Sequence, residues 1–224
     1  MTASASASAS LAAAPGGTEA AASCHLVTYI EVGAAAARST AARLRRFAVA
    51  GRAQEGCALC TVLRESGRPG RFAMLESWRG RNAPQSHEAA VRALAAELDP
   101  VLAAPLDRRP STGLLAALPP ADAAPGLDTV CVVLTHVDVV PPAKDEAIAQ
   151  LLRLAEHSVA EPGALRIEIL QQDSRPNHFT LVEMWRDGAA RDAHVMAAHT
   201  RAFRQGLAPL AVALYDERLY ATIR

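Results

Sequence analysis

Glu76-Ser77-Trp78-Arg79, with His87 nine residues after the tryptophan, returns as Glu183-Met184-Trp185-Arg186, with His194 nine residues after Trp185. The offset from Glu76 to Glu183 is 107 positions, and the same 107 separates Cys24 from Cys131, Leu44 from Leu151, Gly56 from Gly163, Arg68-Pro69 from Arg175-Pro176 and Phe72 from Phe179. A register held from Cys24 to His87 is a tandem repeat, and it fixes the unit of folding before any strand or helix is assigned.

Each copy reads as βαββαβ. His25 to Val32 and Val132 to Val139 are β-branched, apolar runs of strand type. Residues 38–53 and 143–160 carry apolar side chains at helical spacing and run out at Gly56 and Gly163, where a helix exit favours glycine. Two strands follow, Ala58 to Glu65 and Arg71 to Trp78, joined by Gly67-Arg68-Pro69-Gly70, with Asp173 to Asn177 as the turn in the second copy. A second helix begins near Asn82 as cap with Pro84 and Gln85 behind it, and near Asp187 in copy two. The last strand is clear in copy two (Ala213 to Ile223), whereas in copy one (Ser111 to Leu118) it is expected to be broken by Pro110 and Gly113.

In the third strand Phe72, Met74, Glu76 and Trp78 share one face while Ala73 and Leu75 are apolar on the other, and Phe179, Leu181, Glu183 and Trp185 repeat this. Helices cover only one face of such a sheet, so the other must lie against a second sheet. The expectation is an α+β chain of two ferredoxin-like βαββαβ repeats packed sheet to sheet. Its divisions are an Ala/Ser-rich tail (1–23), repeat 1 (24–118), a Pro-rich linker (119–127) and repeat 2 (128–224).

The 224 residues carry 23 basic and 23 acidic side chains, so no net field draws the chain to nucleic acid or anionic lipid. No apolar run approaches the roughly 20 residues of a membrane span, and the tail lacks the basic and Leu-rich regions of a secretory signal, so a cytoplasmic location is the expectation. Cys24 and Cys131 read as small buried hydrophobes. Cys57 and Cys60, three apart in a strand, should face opposite sides and form no redox or metal pair. There is no H-x-x-x-H, H-E-x-x-H, carboxylate cluster or phosphate loop, so neither metal nor nucleotide is expected.

A strand ending Glu-x-Trp-Arg, a histidine nine residues after the tryptophan, and a helix running to a Leu/Phe-rich stretch and proline resemble the antibiotic biosynthesis monooxygenase family of dimeric α+β barrels. The resemblance covers residues 24–118 and 128–224 and implies that one chain here supplies both halves of a barrel usually built by two. Copy two has the fuller pattern: Glu183, Trp185, Arg186, Asp187, His194, His199, Phe203 and Pro209. Copy one has Arg92 where His199 aligns. The family includes oxygenases that turn phenols or hydroquinones into quinones without metal or flavin, haem-degrading enzymes, isomerases, and members of no established activity. The haem-degrading relatives carry a tryptophan where this chain has His87 and His194.

The leading expectation is a cofactor-independent monooxygenase taking a small aromatic molecule and dioxygen. A non-oxidative isomerase or a ligand-binding scaffold are the alternatives, and two pseudo-dimeric chains could associate further. His194 is the expected base and Glu183 its assistant. Trp185 would stack on the substrate and Arg186 would steady an oxyanion if it turns inward. His199, His136, Trp78, His87 and Glu76 are the other candidate pocket residues. The structural alternatives stay open: tryptophans as core, Glu183 and Glu76 paired with Arg186 and Arg79, His194 and His87 fixing strand-to-helix junctions. His199, five residues past His194, sits about 140° around an ideal helix, so the two share a site only if that helix kinks. His25, His157 and His178 are expected at the surface.

Overall fold

The structure, a computed structural model, describes residues 23–80, 82–117, 130–213 and 215–223. The expected tail, apart from Ser23, and the linker 119–127 lie outside the described residues. The first half contains β1 (Ser23–Glu31), α1 (Ala37–Arg52), β2 (Cys57–Glu65), β3 (Arg71–Arg79), α2 (Gln85–Leu98) and β4 (Asp107–Ala117). The second contains β5 (Cys131–Asp138), α3 (Lys144–Ser158), β6 (Ala164–Gln172), β7 (His178–Trp185), α4 (Gly188–Met196), α5 (Ala198–Leu207) and β8 (Asp216–Thr222).

Each half forms an antiparallel sheet, in the orders β4-β1-β3-β2 and β8-β5-β7-β6, and the outer strands of one sheet pair with those of the other. The result is a closed eight-stranded barrel. The two seams differ in length. β4 and β6 are in register from Ser111↔Gln172 to Ala117↔Ile167, with a bulge at Gly113, whereas the β2–β8 ladder runs from Leu63↔Thr222 to Glu65↔Tyr220, with one backbone bond beyond each end, Ile223 N–H to Val62 and Ser66 N–H to Leu219. The alternation read in the third strand explains the closure. Ala73, Leu75 and their mate Val182 join Val27, Leu63, Val132, Leu134, Leu170 and Tyr220 inside the barrel. Phe72 and Met74 pack outward under the helices of the first half with Leu44 and Leu98, and Phe179 and Leu181 do the same in the second with Leu151 and Phe203.

Several local expectations need correcting. α2 starts at Gln85 after an extended Pro84 and has no side-chain cap, so Asn82 does not hold it. Asp187 does cap α4, accepting from the Ala190 N–H at 2.8 Å. β4 is not broken. Pro110 accepts from the Asp173 N–H at 3.0 Å, just past the end of β6, where its own missing donor costs no ladder bond. Gly113 sits at a bulge, where a Cβ would come within 2.9 Å of the His25 ring. His25 is therefore buried, with Glu168 3.6 Å away, and His178 is half-buried on Asp138 at 2.7 Å; of the three expected surface histidines, His157 alone is exposed. A bulge between Cys57 and Leu59 restores the face that three-residue spacing would reverse, so Cys57 and Cys60 both pack into the outer core of the first half. Both are free thiols; burial raises each and takes Cys60 to about 12, which leaves it inert. Cys24 and Cys131 are half-buried rather than enclosed.

Because the interior is shared by both sheets, the halves should unfold together. Leu134→Ala, at a fully buried interior position, is expected to cost about 2–5 kcal/mol and to shift a single urea transition; a profile splitting into two transitions would show halves that fold independently.

Candidate active site

The chemistry-bearing residues fall at two places on the barrel. At the first, Glu183 and Trp185 project from the outer face of β7, and α4, held by the Asp187 cap, lays His194 over the indole with ring centroids 4.7 Å apart. His194 Nε2 is 3.2 Å from Glu183 Oε1. Its Nδ1 is 2.6 Å from Oε1 of Glu161, in the turn between α3 and β6, and His199 Nε2 meets the same oxygen at 2.8 Å.

Two backbone features bring these groups together. Gly163, with φ of +94°, turns the chain into β6, and its carbonyl accepts from the Arg186 N–H at 2.8 Å, fixing the Glu161 turn to the end of β7. The helix of copy two then breaks at an extended Ala197, between α4 and α5. The break swings His199 back toward Glu161, and the kink that a shared site requires is present. Burial works against charging His194, but Glu183 and then Glu161 outweigh it and hold its pKa above the ordinary histidine range.

The first half keeps only part of this arrangement. Glu76 pairs with His87, both side chains fully buried, and His87 lies 4.4 Å from the Trp78 ring and 5.3 Å from Phe47. Gln54 stands where copy two has Glu161, Arg92 is exposed where copy two has His199, and α2 runs unbroken. Neither glutamate pairs with the arginine next to its tryptophan. Arg79 is exposed, and Arg186, half-exposed, points its Nε at Asp187 at 3.1 Å rather than turning inward. Trp78 and Trp185 are both fully buried, which makes them core residues and not the walls of an open pocket.

The second place lies at the other end of the barrel, five residues along β5 from the Trp185 partner Cys131, or roughly 17 Å. Here the repeat mates Tyr29 and His136 meet edge to face, with centroids 5.1 Å apart. His136 Nδ1 lies 3.2 Å from Arg109 Nη1, so it accepts and the proton sits on Nε2, a buried nitrogen with no partner among the described residues. Burial, then Arg109 and Arg218, push the His136 pKa down to about 4, which keeps the ring neutral. His136 lines a cavity of about 520 Å³ with Val137, Asp138, Arg204, Leu207, Ala208, Ala211, Val212, Ala213 and Tyr215. The corresponding space beside Tyr29, Ile30 and Glu31 in the first half is about 260 Å³. Glu161, Arg109, Arg218 and Tyr215 were not singled out from sequence; for Glu161 the readable signal was the Gln54/Glu161 difference between the copies.

The sequence profile described as antibiotic biosynthesis monooxygenase matches residues 23–97 and again 131–206. The chain belongs to the antibiotic biosynthesis monooxygenase family. Among its relatives, "Putative monooxygenase YcnE" of Bacillus subtilis is 29% identical over 72 residues, a stretch covering 32% of this chain and 76% of that protein, about one repeat. A solved "Putative monooxygenase" from Fusobacterium nucleatum superposes with a TM-score of 0.80 at 15% identity, covering 92% of this chain and 94% of that one. A structure named an anthrone oxidase-like protein gives 0.66 at 13% identity, with 92% and 93% covered. At these identities the two structures show a common fold, shared over more than nine-tenths of each chain. Among the described residues no helix is long and apolar enough to cross a membrane.

A histidine whose pKa is lowered in the fold is protonated more readily in the unfolded chain. Stability attached to His136 should thus be complete above pH 6.5 and decline as the pH falls from 6.5 toward 4. His136→Gln, uncharged and still able to accept from Arg109, should remove roughly 1–2 kcal/mol of the loss seen between pH 7 and pH 5, read as the difference in urea midpoints. His25 and His178, also lowered, add to the slope that remains and His194, raised, opposes it; an unchanged slope would mean His136 titrates normally.

Proposed function

We propose that the chain oxidises a small phenol or quinol with dioxygen, without flavin or haem, and that the substrate occupies the cavity beside His136 in the second half. The observation that carries this reading is the cavity itself. At about 520 Å³ it falls within the range of small-molecule sites, and its mostly aliphatic lining is interrupted by few polar groups, among them His136, Asp138, Arg204 and Tyr215. The family's name supports a monooxygenase, and the name of the anthrone oxidase-like structure supports the substrate class.

In this reading the substrate supplies the electrons. A phenol loses two hydrogens and gains one oxygen atom, the second oxygen leaving as water. The protein has to favour the phenolate, keep it dry and hold it still. In this reading the Nε2–H of neutral His136 donates to the phenolate oxygen, and the Asp138 carboxylate, which lines the same cavity, takes the proton. The substrate-facing role thus passes from His194, whose two nitrogens are engaged by carboxylates and whose face is covered by Trp185, to His136. His194 and Glu183 hold α4 onto β7.

The test is dioxygen uptake with a panel of hydroquinones, phenols and anthrones. Ala211→Trp, which fills the cavity, should abolish uptake, and His136→Phe should reduce turnover about 10²-fold in folded protein, while His157→Ala on the exposed face of α3 leaves it unchanged. Ligand-induced stabilisation without uptake would replace the reading by binding or isomerisation; uptake that survives Ala211→Trp would move the substrate elsewhere.

A further inference from the structure

The Glu161, His194 and His199 cluster is left without a part in that chemistry. It does not line the substrate cavity, and the first half folds without two of its three members, carrying Gln54 and Arg92 in their places. The Glu–His–Trp unit common to both halves therefore suffices to fix the strand-to-helix junction. Glu161 and His199 are additions.

We propose that Glu161, His194 and His199 form a binding site for one divalent transition-metal ion of the zinc type, with Glu183 as the outer carboxylate that orients His194. One imidazole nitrogen from each histidine and a carboxylate oxygen of Glu161 lie within 4.8 Å of one another. Two nitrogens and one carboxylate oxygen make the three-ligand set that borderline ions such as zinc accept, with a fourth position left for water. In the present geometry both rings meet one Glu161 oxygen, at 2.6 and 2.8 Å. An ion replacing the protons on those nitrogens would sit between the same three groups, with an outward shift of the Glu161 side chain to make ligand distances of about 2.0–2.2 Å.

The surroundings fit. Glu183, on the far nitrogen of His194 at 3.2 Å, completes the carboxylate–histidine–metal arrangement that fixes tautomer and ring direction in metal sites. With both rings neutral, the carboxylates of Glu161 and Glu183 balance the two positive charges of the ion. The side chains are 5% (His194), 16% (Glu161) and 24% (His199) exposed, enclosed enough to shed water yet reachable from solvent. His199 also lines a groove of about 350 Å³ with Gln150, Arg153, Leu154 and His157, from which a water can fill the fourth position. Bound there, the ion would tie the turn after α3 to both sides of the α4/α5 break. The inference stands independently of the monooxygenase reading, since none of the three ligands lines the substrate cavity and the test reads metal binding rather than turnover.

The experiment uses the full chain, free of any tag and stripped with chelator, titrated with Zn²⁺ by calorimetry and with Co²⁺ by its visible absorption. One equivalent per chain is expected, together with a zinc-dependent rise in melting temperature. Glu161→Gln and His199→Arg, which install the residues of the first half, should each weaken binding at least 100-fold and remove the rise, and Glu183→Gln should weaken it about 10- to 100-fold. Circular dichroism of the metal-free variants establishes that they fold, and the partly exposed Glu161 and His199 keep the test open should Glu183→Gln fail to do so. Absence of stoichiometric binding in the parent chain, or equal affinity in Glu161→Gln and His199→Arg, would overturn the proposal.

Discussion

The structure depends on one constraint: each four-stranded sheet is apolar on both faces and has helices for only one. Val27, Leu75, Val132, Leu134 and Val182 have nowhere dry to go except the interior made with the sister sheet. Closing that interior also disposes of the free edges, since β2 pairs with β8 and β4 with β6. The helices are consequently free to differ. α2 runs straight and seals Glu76, His87 and Trp78 beneath it, while the equivalent segment in the second half breaks into α4 and α5 and leaves Glu161 and His199 within reach of solvent.

From this follows a division of labour along the barrel axis. One end holds buried carboxylate–imidazole–indole stacks outside the sheets. The other holds the meeting of Tyr29 with His136 inside them, ringed by Arg109, Arg218, Asp107 and Asp216, and opening into the larger cavity. The two histidines that matter are held in opposite states by the same physics. Burial disfavours charge on both, but His194 lies between two carboxylates and its pKa rises, whereas His136 lies beside two guanidinium groups and its pKa falls.

The fold was legible because its determinants are periodic. The repeat, the helical spacing of Leu44 and Leu151, and the alternation of Phe72 to Trp78 all survive in the sequence of a single chain. The site was legible only in part, because its decisive features are local departures from periodicity. Ala197 breaks the helix with no proline or glycine to announce it, and its repeat mate Ala90 lies inside an unbroken helix. Glu161 arrives from a turn that read only as a helix exit. The bulge after Cys57 reversed a face assignment that was correct for a regular strand. His136 was visible as a polar residue in an apolar strand, but the arginines that set its protonation come from β4 and β8, distant in sequence.

The covalent joining of the halves carries a consequence for how such a site can arise. In a barrel assembled from two identical chains, any substitution is made twice, once on each side of the dyad, so a helix cannot break on one side and stay straight on the other by sequence alone. Here Gln54 and Glu161, or Arg92 and His199, are separately encoded. One side can keep the packed, closed version that secures the fold while the other drifts toward new chemistry, and the closed side acts as the ballast that makes the drift tolerable.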